Sequence, residues 1–421
     1  MPPVLADSQV SLATGQRSLG DRGITYPLWP VLTAGCPVTA TDQLVYPLEV
    51  VYDYAPEVLG LFDRTDVPSD LQYWAPLLPP LDPALRIGIG GTPLLDGSAL
   101  CDTDVPVLLK DESRNLTWSH KDRLNVCTIS AASLSGAPGV VVASSGNHGA
   151  SAAALAARAG LDCVVIASAG VPPAVHAFMS AYGATVITVP REARWGVMND
   201  IVDRLGFHPV SNLTVTHTGH PFGPEGYKTI AYELFLQLDR TVPAAVFVPT
   251  GYAELLYGVW RGFTELLELG LADDRPRLFS CEPAARGPLA AALAAGLPAT
   301  SVDAKPTDSY AIGTTNGGYR GTLAVTESGG SALLVDDDEV RTAAADLAAN
   351  GMWQEMSGAA SVAGLRRATA SGERFDGPVV CLCTSSGFKN KTLAHTEPAV
   401  VDPEWTAVRE HLRVRGIAVP N

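Results

Sequence analysis

Val140-Val141-Val142-Ala143 runs without a break into Ser144-Ser145-Gly146-Asn147-His148-Gly149, and then into an alanine-rich stretch that reaches Gly160. A short apolar run rich in β-branched residues reads as a strand buried on both faces. The polar residues after it form a turn, and the alanines that follow form a helix. Strand, turn and helix in that order build a parallel sheet with helices packed over it.

The same unit recurs on both sides. Val105–Lys110 is an earlier strand. Val164–Ala167 and Thr185–Val189 are later ones, with a helix between them opened by Pro172 and Pro173 and closed by Gly183. Ala245–Val248 precedes a helix over Ala253–Leu269, and Leu278–Cys281 is a further apolar run. Asp336–Asn350 is a helix with acidic residues in its first turn, which suits the helix dipole. Ala290–Ala295 has helical composition, and Val379–Cys383 is the last core strand. Residues 1–85, rich in Pro, Tyr and Trp, read as an irregular extension with short strands such as Leu48–Tyr54. The expected fold is α/β, with two lobes of parallel-rich sheet flanked by helices.

Composition narrows the function. The 421 residues suit two or three lobes rather than one small core. A formal net charge of −15 repels phosphate backbones and anionic membranes, so no nucleic acid and no membrane surface is expected as a partner. Only 17% of residues are charged, and Ala and Gly are abundant, as suits a chain that buries surface in a homo-oligomer such as a dimer. The seven cysteines are scattered and lie mostly in apolar runs, so they read as buried reduced thiols. Without a basic start, a long apolar N-terminal run or a spanning-length segment, the expected location is the cytoplasm.

Three polar turns directly follow expected strands, the edge where parallel sheets collect ligands. Lys110-Asp111-Glu112-Ser113-Arg114-Asn115-Leu116-Thr117-Trp118-Ser119-His120-Lys121-Asp122-Arg123 carries many charges and leads into a helix. Such a run is ordinarily a solvated loop. Lys121 at a helix start is less ordinary, because the positive helix end favours a neutral amine, the form a nucleophilic lysine needs. Ser144–Gly149 could hold an anion on helix N–H groups or serve as a plain cap. Its spacing does not match a dinucleotide fingerprint. Thr384-Ser385-Ser386-Gly387-Phe388-Lys389-Asn390 offers small hydroxyls at a strand end.

Taken together these turns resemble those of threonine synthase and its relatives among the pyridoxal-phosphate (PLP) enzymes. Gly90-Gly91-Thr92-Pro93-Leu94, Glu225-Gly226-Tyr227-Lys228-Thr229 and Glu327-Ser328-Gly329-Gly330 extend the resemblance over about residues 36–390. It implies a PLP cofactor in the cleft between the two lobes, held as a Schiff base by Lys121. Asn147 would face the cofactor's 3′-oxygen and Thr384 its pyridine nitrogen. Thr250, Gly251, Tyr252 and Ala253 lie in the segment that matches the phosphate loop. Ser144, Ser145 and Gly146 would grip the substrate carboxylate, and His148, His217 and Thr218 would also bind the substrate. The large lobe would combine 86–127 with 231–421, and the small lobe would span 128–230.

Departures from the pattern matter too. The phosphate loop of the family is richer in Gly and Asn, and Glu254 here should point away from a phosphate. His120 stands for a Phe and Leu116 for a Pro. Of a Cys-x-x-Cys knuckle only Cys36 remains, so no metal site is expected. Gly223 stands where the family has an Arg that helps bind a substrate phosphate. His217 and His220 could substitute in part or be ordinary loop histidines, and Arg286 and Lys389 are cations that could reach the same phosphate.

The expected activity is elimination and replacement at Cβ or Cγ of an amino acid with a leaving group, with Lys121 moving the α-proton. The alternatives are a specialised relative, such as a β-replacement synthase or an amino-acid ammonia-lyase, and a non-catalytic PLP or amino-acid binder. The loss of the Arg predicts that O-phosphohomoserine is a poor substrate.

Overall fold

Alternating apolar runs and helices build two parallel-rich sheets. The computed structural model describes residues 10–144, 146–168, 173–390 and 400–419. The extension forms a small antiparallel sheet of β1 (Ala13–Ser18), β2 (Thr25–Pro27) and β3 (Leu48–Tyr52), with β1 in the middle.

The strands that follow are β4 (Leu94–Asp96), β5 (Val107–Asp111), β6 (Gly139–Val142), β7 (Asp162–Ala167), β8 (Thr185–Thr188) and β9 (His208–Pro209). Next come β10 (Ala245–Pro249), β11 (Arg277–Pro283), β12 (Ser331–Val335) and β13 (Val379–Cys383). The larger sheet has the order β12-β11-β10-β13-β5-β4, parallel throughout except for β4. The smaller sheet, β8-β7-β6-β9, is wholly parallel. Val379–Cys383 and the central residues of β10 are fully buried, as their unbroken apolar runs require.

The helices are α1 (Lys121–Leu134), α2 (Asn147–Ala159), α3 (Pro173–Ala181), α4 (Arg194–Leu205), α5 (Gly223–Gln237) and α6 (Glu254–Glu268). They continue with α7 (Pro288–Ala295), α8 (Tyr319–Glu327), α9 (Asp337–Ala349), α10 (Met356–Ala370) and α11 (Trp405–Val414). The acidic start of α9 is a full capping box, Asp336 with Glu339. Residues 1–391 form one compact unit, and 392–421, which carries α11, form another. All seven cysteines are free and buried. Among the described residues no helix is long and apolar enough to cross a membrane, and no cluster suits a metal ion.

The charge run ahead of Lys121 is not a solvated loop. Lys110, Glu112 and Arg123 are fully buried; Lys110 and Arg123 converge on Glu233 of α5, and Glu112 pairs with Arg123. Lys110 Nζ lies 2.6 Å from Glu233 Oε2, and Arg123 Nη1 lies 2.6 Å from Glu233 Oε1. Gly91 and Thr92 donate their backbone N–H to the same carboxylate. A charge can be buried only when paired and hydrogen-bonded, and here every member is. Gly226 completes the arrangement. A Cβ there would lie 2.0 Å from the Arg123 carbonyl oxygen, so only glycine lets α5 pass α1 this closely.

Candidate active site

The turn before α1 is drawn taut. Trp118 adopts φ 61°, a left-handed conformation uncommon for a bulky residue. Asp122 accepts from the Thr117 N–H and hydroxyl, both at 2.6 Å. His120 donates its backbone N–H to the Thr384 carbonyl at 3.0 Å, and Ser119 bridges Ser385. These bonds carry Lys121, the first residue of α1, to the carboxyl end of β13.

Lys121 opens on a cavity of about 640 Å³. Its other walls come from the turns after β6 and β10 and from the segment around Ile312. Burial holds the Lys121 amine below its ordinary value, and Glu254 opposes that shift. A lysine nitrogen that loses its proton readily is what a carbonyl partner requires. His148 faces the same space, its imidazole pushed down to about 3 by burial and by Lys121. Its Nε2 is buried and finds no hydrogen-bond partner among the described residues.

Of the residues expected at the site, Lys121, Ser144, Gly146, Asn147, His148, His217, Gly251, Tyr252, Ala253 and Thr384 all line this one cavity. Ser145 lies outside the described residues. Two expectations are not met in place. Thr250 turns its hydroxyl back to the Val248 carbonyl, and Thr218 pairs with Thr214 and Asn212, so neither reaches the wall. His220 is likewise engaged by His208 at 2.9 Å. Gly223 begins α5 facing Leu124, away from the cavity lining. Of the two alternative cations, Arg286 lines the cavity, whereas Lys389 is buried over the Phe178 ring. Sequence reasoning missed Arg191, Arg194 and Glu355, which also line it. Glu355 accepts from Asn147 Nδ2 at 2.8 Å and fixes that amide. No local motif marks these three, because they arrive from separate elements.

The donor set fits a pyridoxal phosphate. The backbone N–H groups of Gly251, Tyr252 and Ala253 find no acceptor among the described residues and lie at the N-terminus of the fifteen-residue α6. That end of a helix is a ready site for a phosphate. Ala253 takes φ 62° to begin the helix there, a left-handed strain held at the site. An amine at Lys121, an amide at Asn147 and a hydroxyl at Thr384 complete what such a cofactor needs.

Comparison with known proteins agrees. The family described as "Pyridoxal-phosphate dependent enzyme" matches residues 85–385, and the chain belongs to it. Within it the chain is threonine-synthase-like. It is 32% identical to the threonine synthase of Methanosarcina acetivorans over 88% of this chain and 95% of that protein. It is 32% identical to that of Mycobacterium tuberculosis over 75% of this chain and 87% of that protein. Solved structures share the fold. Maize serine racemase has a TM-score of 0.61 at 19% identity, covering 77% of this chain and 93% of that one. The fungal L-serine ammonia-lyase of Rhizomucor miehei has a TM-score of 0.60 at 21% identity, covering 70% of this chain and 93% of that one. The chain is thus a PLP-dependent lyase or synthase acting on a small amino acid.

Proposed function

We propose that this protein removes a leaving group from Cβ or Cγ of an amino acid and then adds a nucleophile or water at that carbon. The observation that carries the reading is the meeting of the Lys121 amine, the free N–H groups of Gly251–Ala253 and the start of α2 in one cavity. When bound, pyridoxal phosphate supplies the sink for the electron pair left as the Cα proton departs.

Lys121 holds the cofactor and then carries that proton on Nζ. Gly251, Tyr252 and Ala253 grip the phosphate through the backbone. Thr384 gives the ring nitrogen a neutral hydroxyl. Asn147, fixed by Glu355, would meet the cofactor's 3′-oxygen. Ser144, Ser145, Gly146 and His148 hold the substrate carboxylate at the α2 N-terminus, and His217 meets the far end of the substrate.

The division into an extension over 1–85, a large lobe of 86–127 with 231–421 and a small lobe of 128–230 is part of the same proposal. Its support is that β4, β5 and β10–β13 make up the larger sheet, while β6–β9 make up the smaller. A homodimer in the cytoplasm completes the reading, supported by the low charged fraction of 17%.

The test is steady-state turnover of O-phosphohomoserine, O-phosphoserine, O-acetylserine and threonine by the PLP-loaded protein. Release of product from at least one, abolished in Lys121→Ala, is expected. No turnover of any of them with the cofactor bound would contradict the reading and leave a non-catalytic binder.

A further inference from the structure

Glu254 is the first residue of α6, only 7% exposed, and lines the cavity that Lys121 enters. Its carboxylate makes no hydrogen bond with any described residue. His217 Nε2 stands 4.0 Å from it. On another side is Gly219, with φ 60°, where a Cβ would lie 2.2 Å from Glu254 Oε1. The His217 ring is itself pinned on Tyr252, centroids 4.0 Å apart. Gly219 and the His217 ring therefore hold the carboxyl group at the cavity wall, where no described residue hydrogen-bonds to it.

Two other buried acids, Glu112 and Glu265, are paired instead. Glu112 accepts from Arg123, Thr92 and Asn115, and Glu265 from Tyr54, Tyr232 and Lys228. A buried carboxyl without partners costs stability and is kept for something that enters the cavity. The groups facing it are Lys121 of α1, Tyr227 of α5, Arg320 of α8, and His217 and Tyr252. Burial raises the Glu254 carboxyl above its ordinary value, with Lys121 and Arg320 opposing. Burial also keeps the His217 imidazole uncharged.

We propose that Glu254 is a catalytic acid that gives its proton to a departing hydroxyl oxygen, so that the cavity serves β-hydroxy amino acids ahead of phosphorylated ones. The proposal rests on the elimination reading above. The Cα–H pair becomes the new carbon–carbon π bond, and the C–O pair leaves with the oxygen. The Glu254 proton completes one molecule of water. Lys121 gains the Cα proton as Glu254 loses its own, and one proton passing from Lys121 to Glu254 restores both. No oxidant or reductant is consumed.

The experiment uses the PLP-loaded protein and its Glu254→Gln variant with L-threonine, L-serine, O-phosphohomoserine and O-acetyl-L-serine, whose acetate leaves without a proton. For the unaltered protein, kcat/KM with the hydroxy substrates should fall on the alkaline side as Glu254 ionises, a limb absent with O-acetyl-L-serine. In Glu254→Gln, kcat with the hydroxy substrates should drop about 100-fold or more, the span of general acid catalysis. O-acetyl-L-serine turnover should hold. The affinity for L-alanine, which has no leaving group, should also hold when followed by the shift of the cofactor absorbance. Undiminished hydroxy-substrate turnover in the variant, equal loss with both substrate types, matching pH limbs, or a preference for O-phosphohomoserine in the unaltered protein would each overturn the proposal alone. Absence of turnover on all four substrates by the unaltered protein would overturn the elimination reading, and this proposal with it.

Discussion

Arg123 grips Glu112 side-on, Nε to Oε2 at 2.7 Å and Nη2 to Oε1 at 2.8 Å, just two residues beyond Lys121. Both side chains are fully buried. The pair ties the end of β5 to the first turn of α1, and Glu233 ties both to α5. Lys121 therefore leaves a backbone anchored on both sides, which is how a reactive amine is kept in one place.

Breaking this network should cost far more than breaking a surface pair. Arg123→Met leaves Glu112 and Glu233 buried with Lys110 as their remaining nearby cation. Loss of one partner of a buried pair typically costs about 3–5 kcal/mol. Urea unfolding of the variant should show a midpoint lowered accordingly. A loss below about 1 kcal/mol, as for an exposed pair, would contradict the account.

The sequence made the central strands legible because both faces are buried. Unbroken runs such as Val140–Val142 and Val379–Cys383 leave no other reading. Edge strand β12 was not, since Ser331-Ala332-Leu333-Leu334-Val335 is half exposed and short. Helix α10 was also missed, since it is buried nearly all round and its Gly, Ala and Ser residues give no periodic stripe. Lys110, Glu112 and Arg123 read as solvent-facing because the partner that holds Lys110 and Arg123, Glu233, lies more than a hundred residues away and leaves no local trace. The Lys121, Ser144 and Thr384 turns were found because each directly follows a strand. The walls at Arg191, Arg194 and Glu355 have no such marker.

Glu282 offers a test by pH. Burial pushes its carboxyl up to about 7, although it accepts from the Leu289 and Ala290 N–H groups. A carboxyl raised in the folded state gives stability that is full below its unfolded value and fades as pH rises through about 7. Glu282→Gln should remove that loss. Its melting temperature should exceed that of the unaltered protein at pH ~8 and not at pH ~4, the gap at high pH being worth about 3 kcal/mol at ~1.4 kcal/mol per unit. Parallel melting curves across this range would contradict it.

Thr384 is 3% exposed and lines the cavity with a neutral hydroxyl. Thr384→Asp puts a carboxylate there, which favours a protonated pyridine nitrogen. Product analysis should show less elimination or replacement and more transamination. An unchanged product ratio with the cofactor still bound would mean that Thr384 does not face the ring nitrogen.

The most direct test of the account is where the cofactor attaches. The purified protein, loaded with PLP, is reduced with borohydride, digested and mapped by mass spectrometry, beside a Lys121→Ala variant treated the same way. The account predicts the pyridoxyl mass on the peptide containing Ser119-His120-Lys121-Asp122-Arg123, at Lys121, and none in the variant. A label on another lysine of the unaltered protein, or a visible colour that borohydride still fixes to Lys121→Ala, would contradict it.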